Sequence, residues 1–364
     1  MPKKKQLTDA KLAKLTGEEW RELLCEQPEY ADKCPWEELD GFDWSDLLIE
    51  QPQFADKCPW EKLDGFSWSL LLAKQPQFAE QCDWAKLTGE HWAMLLVSQP
   101  QFADKCPWEK LDGGDWSCFL SNQPQFADKC PWEELDGFSW NLLLEKQPQF
   151  AEKCPWEKLD GYDWCHLLIH RPEFADQCSW EKLDGYDWSG LLIFQPQFTD
   201  KCPWEKLNGQ DWCSLLGHHP QLSVHCDWGK LDEANWRDLL IGQPRFADKC
   251  PWEKLSGEDW GMLLSQRPEF AAKCPWEQLD GWAWCRLLQK QPQFADHCDW
   301  DKLSGEDWCD LLQTQPQFES FCDWKKLSDY DKSRLFSKWP RYIVDPVPPR
   351  IGWEIFLPKK KIRR

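Results

Sequence analysis

Apolar residues along this chain follow a helical spacing that restarts with a 24-residue period. In residues 40–63, DGFDWSDLLIEQPQFADKCPWEKL, Trp44, Leu47 and Leu48 stand at i, i+3 and i+4, one face of a helix. Asp40 suits the N-cap, and Asp43 three residues on suits a capping-box-like start; Thr16 and Glu19 match that box more closely in the first repeat. Gln51 is the last helical residue, because Pro52 disfavours α geometry just before it. The spacing thus predicts a helix of about two turns, too short to persist without packing. Pro52 suits the start of a second short turn that points Phe54, Ala55 and Cys58 inward. Pro59 starts a third, with Trp60 and Leu63 inward, and Asp83, Ser179, Asp227, Asp299 or Asp323 replaces it in other repeats. Asp64-Gly65 then turns the chain, the glycine supplying a backbone position that other residues resist.

The register never slips. Cysteine recurs from Cys34 to Cys322, proline from Pro28 to Pro340, and two tryptophan series run from Trp20 to Trp308 and from Trp36 to Trp324. A 24-residue unit cannot bury a core alone, so neighbouring units must supply each other's interior. A β-solenoid would want Val, Ile and Thr at alternating positions, but the chain has four Val and no clean alternation. The expected fold is therefore all-α: an α-solenoid of about thirteen 24-residue units, each one short α-helix plus one or two single-turn 3₁₀ or α helices. Residues 15–340 form the solenoid, 1–14 a basic N-terminal arm, and 341–364 a non-repetitive C-terminal cap and basic tail.

The 24-residue unit of one α-helix and a short helix, with Pro after the main helix, resembles the leucine-rich variant repeat. That resemblance implies an α-helix and a 3₁₀ helix stacked per unit into a superhelix. The tryptophans depart from that family. The motif QPQFADKCPWEKLDG also looks like Trp-rich short tandem repeats of bacterial proteins with no assigned activity. Neither resemblance supplies catalytic residues.

Charge and cysteine narrow the setting. The formal net charge is −20. Residues 1–14 carry five Lys against one Asp, and residues 332–364 carry ten Lys and Arg against Asp345 and Glu354, so the middle is more acidic still. Such a body repels a phosphate backbone along most of its length. Adjacent members of the cysteine ladder, on helices about 8–10 Å apart, should not reach each other to form disulfides. MPKKKQLTDAKLAKL lacks the apolar core of a signal peptide, and no run approaches a membrane span. The expectation is a reducing, cytoplasmic setting; PKKKIRR resembles a monopartite import signal, which makes the nucleus the alternative in a eukaryote, but a solvated tail that offsets the acidic body is the simpler reading.

Positions that vary between repeats are the candidate surface. The residue after the turn glycine is Phe42, Phe66, Phe138, Tyr162, Tyr186 or Trp282 in some repeats, and Glu, Gln, Gly or Ala in others. These six aromatics are the candidate binding residues, because contiguous exposed apolar surface marks contact sites. The residue after the helix tryptophan, including Cys165, Cys213, Cys285 and Cys309, is expected to be exposed as well. His166 and His170 stand at i and i+4, a spacing that can grip a metal, but no supporting carboxylates are evident, so no metal site and no cofactor are assigned. Phosphate loops and nucleophile elbows are absent, and the carboxylates follow the repeat, which argues against an enzyme. Residues 217–235 depart most, with Leu222 for Phe, His225 before Cys226 and Glu233 for Gly. Drift in one tolerant unit explains these changes more simply than a specialised contact.

The functional expectation is a monomeric, non-enzymatic scaffold that binds a macromolecule, above all a basic protein, through the variable positions. The alternatives are nucleic-acid binding through the terminal Lys and Arg, an acidic imitation of nucleic acid, and a spacer without a specific ligand.

Overall fold

The computed structural model describes residues 8–338. Most of the basic arm, and Pro340 with the whole of 341–364, lie outside those residues. Ten-residue α-helices recur once per repeat, from Gly17–Glu26 to Gly305–Thr314, and Asp329–Lys338 follows them. No strand occurs among the described residues. Two 3₁₀ segments join each helix to the next, such as Pro52–Lys57 and Trp60–Lys62 between Gly41–Glu50 and Gly65–Lys74, except before Asp329–Lys338, where Pro316–Phe321 stands alone. The fold is an all-α solenoid of about thirteen repeats. The chain divides into two compact units, Met1–Asp187 and Trp188–Arg364.

In the first unit, each helix from Gly17–Glu26 to Gly161–His170 packs on the next. The second unit repeats this from Gly209–His218 to Asp329–Lys338. Asp40 caps its helix by accepting from the Asp43 amide at 2.8 Å, while the Asp43 carboxylate accepts from the Asp40 amide at 3.2 Å. Trp44, Leu47, Leu48 and Leu63 are fully buried, and the Cys58 copy of the ladder is nearly so. The first tryptophan series is core, as the spacing predicts. The second series is only half-buried. Its rings stack on core indoles, as Trp36 does on Trp44 at 5.2 Å between centroids, and most tilt against the next repeat's phenylalanine, as Trp36 does against Phe54 at 5.4 Å.

A hydrogen-bond ladder closes the helix ends. The last carbonyls of any helix lack intrahelical donors. Here the glutamine before each proline reaches back to the previous helix: Gln51 Nε2 donates to the Cys25 carbonyl at 2.8 Å, and Gln75 Nε2 to that of Ile49 at 2.7 Å. Where glutamine is replaced, the donor is kept. Arg171 donates through Nε and Nη2 to the Glu145 carbonyl, Arg267 to that of Ile241, and His219 Nε2 lies 2.9 Å from that of Ile193.

Two expectations fail, both because neighbouring repeats come closer than a single repeat reveals. The glycine after the N-cap is the first residue of the helix rather than a turn residue, and no described glycine has a positive φ. Its lack of a side chain admits the next repeat: a Cβ at Gly113 would stand 2.8 Å from the Glu134 carbonyl oxygen, and one at Gly137 2.9 Å from that of Lys158. The residue after the helix tryptophan is mostly buried, not exposed. Ser45, Ser69, Ser117, Cys165, Cys285 and Cys309 all lie inside. The following helix presses there, so that Cys285 Sγ donates to the Asp307 carbonyl at 3.3 Å, and a Cβ on Gly261 would meet Ala283 at 2.9 Å.

The departing repeat at 217–235 keeps its elements, Pro220–His225, Trp228–Lys230 and Glu233–Gly242. Leu222 is buried in the phenylalanine's place. His225 lies flat on Trp204, centroids 4.4 Å apart and planes 7° from parallel. Lys105 over Trp84, His297 over Trp276 and Phe321 over Trp300 cover their rings likewise, so this position shields the half-buried indole whichever of these residues holds it.

Candidate functional site

The six aromatics in the variable column occupy the second residue of their helices, next to the glycine that follows the N-cap. All six are exposed, but unequally. Phe42 (46 %), Phe66 (41 %) and Trp282 (41 %) have neighbours over or beside their rings: Arg21 at 5.8 Å from the Phe42 centroid, His91 at 6.2 Å from Phe66, and Arg286 at 5.9 Å from Trp282. Phe138 (55 %), Tyr162 (56 %) and Tyr186 (71 %) are barer, although the His166 ring lies 6.4 Å from that of Tyr162 between centroids. Phe138 and Tyr162 are at equivalent places on two helices packed together, Gly137–Lys146 and Gly161–His170. Phe42 and Phe66 form a second such pair in the same unit. Trp282, in the second unit, stands between Glu258 and Glu306 in its column and has no aromatic neighbour there.

One member of the column escaped the sequence reading. Tyr330 follows Glu306 by one repeat, is strongly exposed, and has the Arg334 guanidinium 5.9 Å from its ring centroid. Extending the register one step past the last glycine finds it. Phe194, Val224 and Phe321 are exposed too, in other columns, where no repeat-wide pattern marks them.

The thiols are poor candidates for chemistry. All nineteen cysteines are free, and Cys118 alone is exposed. Burial pushes the ladder thiols up, those of Cys58, Cys154 and Cys250 among them, to about 12. At neutral pH such thiols are protonated and weak nucleophiles.

A side-chain cluster in the first unit is richer than the sequence reading allowed. His166 and His170 share one face of the Gly161–His170 helix, with ring centroids 4.6 Å apart. The neighbouring helix Gly137–Lys146 brings Glu145 to them, the carboxylate that spacing along one helix does not reveal. The ligand-capable atoms of these three residues lie within 4.8 Å of one another. His166 Nδ1 is 3.2 Å from Oδ1 of the buried Asn141, and His170 Nδ1 is 3.0 Å from the His166 carbonyl oxygen. Lys146 Nζ pairs with Glu145 Oε1 at 2.7 Å and holds that carboxyl below its usual value.

Among the described residues no helix is long and apolar enough to cross a membrane. The terminal Lys and Arg proposed for nucleic acid at residues 1–7 and 339–364 lie outside the described residues. No protein-family model, no curated protein and no solved structure matches the chain.

Proposed function

We propose that this chain is a non-enzymatic repeat scaffold that binds another protein through its variable surface column. One observation carries the reading: Phe138, Tyr162 and Tyr186 are each more than half exposed at successive copies of a single position. Other copies of that position hold Glu, Gln or Gly, so the solenoid itself does not require aromatic rings there. Aromatic side chains offer large contact area with few rotamers to freeze, and they anchor interfaces. The fixed core holds them at the repeat spacing, as in other repeat scaffolds. The net charge of −20 favours a basic partner by steering and by charge complementarity. The protein works as a monomer in the cytoplasm, its excess of like charge opposing self-association. Its unit belongs with helix-plus-3₁₀ solenoids of the leucine-rich variant kind, with a second 3₁₀ turn and an indole added beside the core leucines.

The test compares capture of partners by the intact chain and by a Phe138→Ala/Tyr162→Ala/Tyr186→Ala variant, with Phe42→Ala/Phe66→Ala beside them. The reading expects one set of proteins, enriched in basic surfaces, to be lost with the triple variant while circular dichroism stays unchanged. Equal recovery by intact and triple-variant protein would remove the aromatic column from the argument.

A further inference from the structure

We propose that Glu145, His166 and His170 form a binding site for one divalent transition cation of the zinc class, bridging two neighbouring repeats. Two imidazoles at i and i+4 on one helix and a carboxylate from the adjoining helix make a three-ligand set. The second interactions of both rings leave the ligating nitrogens available. A carbonyl oxygen can only accept, so His170 Nδ1 carries the hydrogen toward His166 O, and its Nε2 presents a lone pair. Asn141 Oδ1 does the same for His166. This arrangement fixes ring tautomer and orientation in metal-ligating histidines. A tetrahedral ion with bonds of about 2.1 Å sets its ligands about 3.4 Å apart. The present spread of up to 4.8 Å closes by rotation of the Glu145 side chain, whose two methylenes let the carboxylate move while the rings keep their second interactions. Three protein ligands leave a fourth position for water or another donor.

The repeat supplies the control that a single-copy fold lacks. No other helix has a carboxylate at the place of Glu145, a histidine at that of His166, or an asparagine at that of Asn141. Three departures from the pattern, on two helices, meet at one point. His218 occupies the place of His170 in a later repeat, and its Nδ1 likewise lies 2.9 Å from the carbonyl of Ser214. Its companions there are Ser214 and Ile193, which offer no equivalent ligands. The solenoid needs none of these side chains for its core, as the other copies demonstrate. Imidazole and carboxylate together suit Zn²⁺, Co²⁺ and Ni²⁺ better than Mg²⁺ or Ca²⁺.

The test titrates the full chain, stripped with chelator and kept reduced, with Co²⁺ and then with Zn²⁺ as competitor. The expected result is one Co²⁺ per chain, with visible absorption bands of nitrogen and oxygen ligation and without the charge-transfer bands of thiolates. Zn²⁺ displaces it. His166→Ala and Glu145→Gln each weaken binding at least about tenfold, and Asn141→Ala about tenfold through loss of orientation. His218→Ala leaves it unchanged. Far-ultraviolet circular dichroism of each variant separates loss of the site from loss of the fold. No binding at millimolar Co²⁺, thiolate bands in the bound spectrum, or parental affinity in Glu145→Gln and His166→Ala would overturn the assignment.

Discussion

Replacing glycine by alanine should have opposite signs at two places in the second unit. Gly257 opens the Gly257–Gln266 helix. Alanine ordinarily gains about 0.4–1 kcal/mol over glycine where the backbone accepts it, because the unfolded chain loses freedom. At Gly257 the new Cβ would overlap the Gln278 carbonyl oxygen and stand 3.0 Å from its carbon and 3.2 Å from Leu279 Cα. All three are backbone atoms of the next repeat, so relief requires the stack to shift. Overpacking of this kind costs about 1–3 kcal/mol. Mid-range values, a cost of about 2 against a gain of about 0.7, put the net expectation for Gly257→Ala at a loss of about 1.3 kcal/mol, within a span of about 0–2.6. At Gly217, exposed near the end of Gly209–His218, an added Cβ would meet nothing within 4 Å. Gly217→Ala should gain the ordinary increment. At about 2–4 °C per kcal/mol for a cooperative unit of this size, Gly257→Ala melts lower and Gly217→Ala slightly higher than the parent. Thermal melts followed by circular dichroism read the sign. Peptide-level hydrogen exchange across residues 250–290 locates the loss, because repeat arrays need not unfold as one. If Gly257→Ala were as stable as the parent, close approach of the next repeat would not be what the glycine serves.

Two further outcomes test the ladder and the thiols. Gln99→Ala removes the 2.8 Å bond to the Ala73 carbonyl and should cost about 1 kcal/mol, whereas Gln99→Arg should stay near the parent, as Arg171 and Arg267 make this contact naturally; equal losses in urea midpoint would refute the ladder's role. Iodoacetamide at mildly alkaline pH should alkylate Cys118 first in the native protein and spare Cys58 and Cys154, whose thiols burial holds near 12, and reaction of the ladder at Cys118's rate, followed by peptide mass spectrometry, would contradict that burial.

What the sequence made legible has local causes. The helix over Gly41–Glu50, its Asp40 cap and its end before Pro52 depend on neighbours within four residues, and the structure places them where the spacing puts them, save that Gln51 is the cap beyond the helix and not its last residue. The buried tryptophan and leucine face follows from the same short range. The misread positions have their partners in the adjoining repeat. Gly41 looks like a turn residue until the Lys62 carbonyl is seen against it. Cys309 looks like a surface thiol until the Asp331 carbonyl accepts its hydrogen. Gln51 looks like an incidental polar residue before proline until it bonds the Cys25 carbonyl. Tyr330 differs, because extending the register would have found it.

The balance at the core indoles explains why so little of the surface is constrained. The indole N–H groups of Trp44, Trp68, Trp92 and Trp116 are buried without a hydrogen-bond partner. Leaving such a donor unpaired costs about 1–3 kcal/mol. Burying the ring returns about 4–6 kcal/mol, from about 150–250 Å² at about 25 cal/mol/Å². Area therefore outweighs the lost hydrogen bond at these copies, and the interior keeps tryptophan despite its polar atom. With stability secured by this repeated term and by the backbone ladder, the outward residues of each helix are released from folding. A side chain such as His170 then acquires meaning only from what the adjoining repeat sets beside it. His218 sits at the same helical position and caps the same kind of carbonyl, yet lacks counterparts of Glu145 and His166. Function in such a chain is written in offsets between neighbouring copies, so a reading made down single columns finds the aromatic stripe and misses the cluster.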